Sequence, residues 1–157
     1  MIKNGYQDAG WRAAVRNTRL SEETIRAVQD IIDWRDVCRF QSLSEPFILE
    51  FQHKVDWALI CEYQTLTEPF MISNANKMAW DKVCQYQKLT RWFMSEFQDK
   101  LDWKKISQYQ VLTASFIRDF AHLLNMKLVS CYQMLDMGAI EALKNPALKK
   151  FKISRTV

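Results

Sequence analysis

Glycine and proline are scarce, with three of each in 157 residues. An all-β fold needs tight turns at short, regular intervals, and so few turn formers argue against one. No run approaches the ~18 consecutive apolar residues of a membrane span. The start, Met1 to Gly10, lacks the basic-then-apolar order of a secretory signal. These absences predict a soluble, cytoplasmic protein with no membrane partner. Net charge is small: 22 Lys and Arg against 18 Asp and Glu leave +4, short of the loading of a dedicated nucleic-acid binder. Also missing are H-E-x-x-H, a paired C-x-x-C and a Gly-rich phosphate loop. No catalytic residue, metal site or cofactor is therefore expected, and the chain reads as a non-enzymatic protein.

What is present is apolar and periodic. Hydrophobic residues make up 48% of the chain and aromatics 13%, ample for the core of one domain. Trp11, Trp34, Trp57, Trp80 and Trp103 stand 23 residues apart. The same step links Gln41, Gln64, Gln87, Gln110 and Gln133, and it links Leu20, Leu43, Leu66, Leu89, Leu112 and Leu135. Cutting before each Trp gives six repeats, 10-32, 33-55, 56-78, 79-101, 102-124 and 125-147, between an N-terminal segment 1-9 and a basic tail 148-157.

Each repeat carries two helix starts. Asp33, Asp56, Asp102 or Asn125 precedes the Trp position and suits a helix N-cap, with Gly10 and Ala79 the exceptions. Eleven residues on, Ser21, Ser44, Thr67, Thr90, Thr113 and Asp136 supply a second cap. Glu22, Glu45 and Glu68 follow where a carboxylate favours the positive helix end, and Pro46 and Pro69 sit in the first turn, where a missing N–H costs little. In the third repeat the helices should run from Trp57 to about Gln64 and from Glu68 to about Lys77. Trp57, Ile60 and Cys61 form one apolar stripe, and Phe47, Ile48, Phe51 and Val55 form its counterpart on a second helix. Helices this short must be held by their neighbours, so the predicted fold is an all-α solenoid of six 23-residue two-helix repeats. Thr24 in place of Phe, and Met126 and Ala139 in place of Trp and Phe, mark the terminal repeats as caps.

The pattern D-W-x-x-(I/V)-(C/S)-x-Y-Q-x-L-(S/T)-E-x-F-(I/M)-x-E-F-x-x-K-(V/L) resembles a repeat found in proteins of giant viruses and large phages. Residues 33-124 carry it best, with Asn74, Ala79 and the sixth repeat departing from it. The resemblance implies a helical repeat fold, a viral or phage origin and a place in the host cytoplasm. It supplies no activity to carry over.

Cys38, Cys61 and Cys84 share a repeat position with Ser107 and Ser130, so a small core residue is expected there and no thiol chemistry. Layers ~8–10 Å apart put these cysteines beyond disulfide reach. Cys131 lies one position on and is the expected exposed thiol. His53 and His122 share a position three repeats apart, too far to hold one metal ion. The repeated Gln follows Phe40, Tyr63, Tyr86, Tyr109 or Tyr132, a pairing that could read nucleic-acid bases. An identical side chain in five repeats cannot read differing bases, however, whereas a buried amide can satisfy helix-end carbonyls in every layer.

Partner contacts are expected where the repeat varies. The first helices carry Arg12, Arg16, Arg35, Arg39, Lys82, Lys104, Lys105 and Lys127 against Asp36, Glu62 and Asp81, a basic face. The second helices carry an acidic rim that includes Glu22, Glu45, Glu50, Glu68 and Asp119. Trp92 replaces Pro46, Pro69 and Ser115 in a first turn that needs no aromatic, as a binding hot spot would. The predicted partner-binding set is Trp92, Arg35, Arg39, Lys82, Lys104, Lys105 and Lys127. The expected role is a protein-interaction module that binds a host or viral protein, inhibition of a host defence factor being one form of it. The alternative is nucleic-acid binding along the basic face and the tail residues Lys144, Lys149, Lys150, Lys152 and Arg155.

Overall fold

The computed structural model describes residues 5–133, with side chains described from Gly10 onward. The described residues form eleven helices and no strand. First helices are α1 (Gly5–Asn17), α3 (Trp34–Phe40), α5 (Trp57–Tyr63), α7 (Trp80–Tyr86), α9 (Trp103–Tyr109) and α11 (Met126–Tyr132). Second helices are α2 (Glu22–Ala27), α4 (Glu45–Glu50), α6 (Glu68–Ser73), α8 (Arg91–Glu96) and α10 (Ala114–Asp119). The chain forms two compact bodies, 1–83 and 84–157, divided inside α7. In the N-terminal body α1 packs on α3 and α3 on α5; in the C-terminal body α9 packs on α11. Neighbouring helices thus pack in a repeated pattern, and the fold is an all-α solenoid.

The cap residues start these helices as expected. Asp33, Asp56, Asp102 and Asn125 have extended backbone and accept N–H groups of the first turn through the side chain. Ser21, Ser44, Thr67, Thr90 and Thr113 each accept the N–H three residues on. A cap of this kind is worth about 1 kcal/mol. Two boundaries differ from the sequence expectation. α1 runs through Gly10, which has no side-chain oxygen to end the helix, and begins at Gly5. The second helices are six residues long: α6 ends at Ser73, and the chain turns back with Asn74 N–H on the Phe70 carbonyl and Lys77 N–H on the Asn74 carbonyl. The second helix expected after Asp136 lies outside the described residues, as does Ala139.

The core is repeated layer by layer. Phe47 and Ile48 of α4, Ile60 and Cys61 of α5, and Phe116 and Ile117 of α10 are buried. Burying each large side chain stabilises the fold by about 1.5–3 kcal/mol. The tryptophans are half-buried and cover this core. Trp34 stacks on Phe47 with ring centroids 6.3 Å apart, Trp57 on Phe70 at 6.2 Å and Trp103 on Phe116 at 6.4 Å. Each indole N–H of Trp34, Trp57, Trp80 and Trp103 donates to the carbonyl five residues before it, at Gln29, Gln52, Ala75 and Gln98. The tryptophan therefore ties the end of one repeat to the start of the next. Lys54 and Lys77 lie over the rings of Trp34 and Trp57, at 5.9 and 5.3 Å from the centroids.

Candidate interaction surface

The invariant polar residues are consumed inside the stack. Gln64 donates through Nε2 to the carbonyls of Cys38 and Gln41, both at 2.8 Å, and its Oε1 accepts the Leu43 N–H at 2.9 Å. Gln41 makes the same three bonds to Val15, Thr18 and Leu20. In the C-terminal body Gln110 bonds Cys84, Gln87 and Leu89, and Gln133 bonds Ser107, Gln110 and Leu112. Each amide thus gives both N–H donors to carbonyls at the end of the preceding first helix, which would otherwise be unsatisfied, and its oxygen to an N–H in the turn that follows that helix.

The cysteine position also has a defined task. The Asp102 N–H donates to Cys84 Sγ at 3.3 Å, and the Asn125 N–H donates to Ser107 Oγ at 2.9 Å. The residue at this position thus accepts the backbone N–H of the cap residue 18 positions later, a bond that either sulfur or oxygen can make. Cys38, Cys61 and Cys84 are buried, whereas Cys131 is exposed. Burial pushes the Cys38 thiol up to about 11 and raises that of Cys61 as well.

Several charges of the predicted faces are paired between layers. Asp36 is buried and receives a two-pronged bond from Arg16, at 2.8 and 3.0 Å, with Arg12 nearby. Lys82 meets Glu62 at 2.6 Å, which holds the Glu62 carboxyl below the usual carboxylate range. On the second helices Arg26 bonds Glu50, and Arg91 bonds Asp119. Glu22 and Glu45 accept the backbone N–H of Ser44 and Thr67, the caps one repeat further on. These carboxylates bracket neighbouring layers in addition to favouring their own helix starts.

The predicted partner-binding residues fall in both bodies. Arg35, Arg39 and Lys82 belong to the N-terminal body, where Arg35 and Arg39 are exposed and Lys82 is half-buried against Glu62. Trp92, Lys104, Lys105 and Lys127 belong to the C-terminal body. There Trp92 is 57% exposed, Lys104 and Lys127 are exposed, and Lys105 is half-buried. The tail lysines and Arg155 lie outside the described residues.

The expected set omitted the aromatic that precedes each Gln. Phe40 and Tyr63 are exposed in the N-terminal body, as are Tyr86, Tyr109 and Tyr132 in the C-terminal body, together with Val111 at 94%. The signal for this was local. The repeated Gln is the C-cap residue, in extended backbone, and turns into the stack, while the aromatic before it is the last helical residue and faces out. Phe40 lies under the Arg16 guanidinium, 5.7 Å from its centroid. The described residues include no cluster of three His, Cys, Asp or Glu able to hold a metal ion, and no described helix is long and apolar enough to cross a membrane. No family model, curated protein or solved structure matches this chain.

Proposed function

We propose that this chain is a non-enzymatic interaction module that binds a partner protein through the exposed aromatic and cationic residues of its first helices and through Trp92. The observation that carries this is the division of labour between adjacent residues. Gln110 spends its whole amide inside the stack, while Tyr109 beside it is 45% exposed although the repeat retains an aromatic there. Tyrosine and tryptophan supply rigid contact area with a polar tip, which favours them in protein interfaces. The resemblance of the repeat to giant-virus and phage proteins extends the proposal to a host or viral partner, including a host defence factor that binding would inhibit.

Nucleic acid is the second candidate, on one observation. The segments 84–90, 103–111 and 126–133 contain Lys88, Lys104, Lys105 and Lys127 and no acidic residue. Affinity capture from expressing cells, with nuclease treatment and a salt series, separates the two. A partner that survives nuclease and moderate salt, and is lost with Trp92→Ala or Tyr109→Ala, supports the protein reading. Loss of all captured material on nuclease treatment, with a steep salt dependence, supports nucleic acid instead.

A further inference from the structure

Within the C-terminal body the exposed aromatics form a row with a fixed period. Tyr86, Tyr109 and Tyr132 occupy one repeat position at the C-terminal ends of α7, α9 and α11. The glutamines beside them bond each layer to the one before: Gln133 to the Gln110 carbonyl at 2.7 Å, and Gln110 to the Gln87 carbonyl at 2.8 Å. The rungs therefore follow the spacing of packed helices, about 8–10 Å. We propose that this tyrosine row docks an acidic polyproline-II segment of the partner, which deepens and rests on the protein-binding role above.

Period and charge both point to that occupant. A polyproline-II chain has three residues per turn and rises ~3.1 Å per residue, so one face repeats every ~9 Å, in step with the rungs. A β-strand repeats on one face every ~6.6 Å, and an α-helix turns every ~5.4 Å. Either would bring alternate residues between the rungs. Exposed aromatic rings are also the surface on which such segments dock, because the flat face packs on the proline ring and the stiff chain has little entropy left to lose. Lys104 and Lys127, exposed on α9 and α11 in segments 103–111 and 126–133 that hold no acidic residue, favour Asp or Glu in the bound segment. The almost fully exposed Val111 favours a peptide over a nucleic-acid strand, since an aliphatic side chain offers a base no ring to stack on.

Fluorescence anisotropy of a labelled peptide of about twelve residues, enough for four polyproline turns, tests this on the full-length chain. The probe is a repeated Glu-Pro-Pro sequence. The controls are the same peptide with Gly for Pro, the same peptide with Gln for Glu, and a labelled oligothymidylate. The expected result is saturable binding of the Glu-Pro-Pro peptide, at least tenfold weaker with either peptide control. Tyr109→Ala and Tyr132→Ala should each weaken it at least fivefold, Tyr109→Phe should retain most of it, and circular dichroism should be unchanged. Equal binding of the Gly peptide would reduce the interaction to charge and overturn the proposal. So would binding that ignores both alanine variants, no binding at about 1 mM peptide, or binding of the oligothymidylate alone. A protein partner captured through Trp92 with no binding of this peptide would leave the interaction module standing and remove only the polyproline assignment.

Discussion

Gln110 donates its side-chain amide to the backbone carbonyl of Gln87 at 2.8 Å, so two copies of one residue, a repeat apart, are bonded directly across the layer. The same bond joins Gln64 to Gln41 and Gln133 to Gln110. It turns a helix end that cannot satisfy its own carbonyls into the attachment point for the next helix.

Replacing Gln64 by Glu should therefore be severe. A carboxylate loses both N–H donations and faces the carbonyls of Cys38 and Gln41 with a charge, so a loss of about 3 kcal/mol or more is expected at neutral pH. Burial against carbonyls raises the pKa of the new carboxyl in the folded state. Its protonated form is favoured there, and the damage should shrink as pH falls. Chemical denaturation of Q64E at pH 7 and pH 5 checks both the size and the sign.

Trp57→Ala should destabilise by about 2–3 kcal/mol, below the ~3–5 kcal/mol of a fully buried tryptophan, because the indole is half-buried. Trp57→Phe should recover most of the loss. It keeps a ring on Phe70 and gives up the bond to the Gln52 carbonyl, which lies in an exposed setting, with part of the ring area under Lys77. Thermal melting of the two variants side by side measures the difference.

At Cys84 the acceptor matters more than the thiol. Cys84→Ser should stay within about 1 kcal/mol of the parent, as Ser107 does the same task in the next repeat. Cys84→Val, similar in size but without an acceptor, should lose more. Native labelling with a thiol reagent at pH 7 should modify Cys131 first, since Cys38 and Cys61 are buried and their raised pKa keeps them as thiols. Equal rates at all four sites, read by mass spectrometry, would contradict the burial.

The Glu62–Lys82 pair should show in acid. A carboxyl whose folded pKa is lowered adds stability above its unfolded value and loses it as pH falls through the folded one. Glu62→Gln should lower stability by about 0.5–1 kcal/mol at pH 7, as a partly exposed pair does, with the gap closing below the usual carboxylate range. Melting curves from pH 7 down to pH 3 record it.

The period, the capping residues and the two apolar stripes were legible because each recurs at one spacing with one residue type. The inward role of the glutamines was legible for the same reason. Cross-layer geometry was not. Arg16 with Asp36 and Glu62 with Lys82 stand 20 residues apart, a spacing that means contact only once one repeat is known to lie against the next. A basic face counted from residue types alone therefore included cations already committed to buried or half-buried carboxylates. The acceptor role of Cys84 was hidden in the same way, since its donor is a backbone N–H 18 residues on. The exposed tyrosines were visible as repeated residues, but repetition alone does not tell an inward side chain from an outward one.

Two neighbouring residues test the division between stack and surface most directly: the melting temperatures of Gln110→Ala and Tyr109→Ala, measured together. Gln110→Ala strands two carbonyls at the end of a first helix and an N–H in the turn that follows it, and should cost about 2–4 kcal/mol, or roughly 4–16 °C. Tyr109→Ala removes an exposed ring and should leave melting within about 0.5 kcal/mol of the parent. A large loss for Tyr109→Ala with little for Gln110→Ala would mean that the tyrosines hold the stack and the glutamines face the partner, the reverse of the arrangement described above.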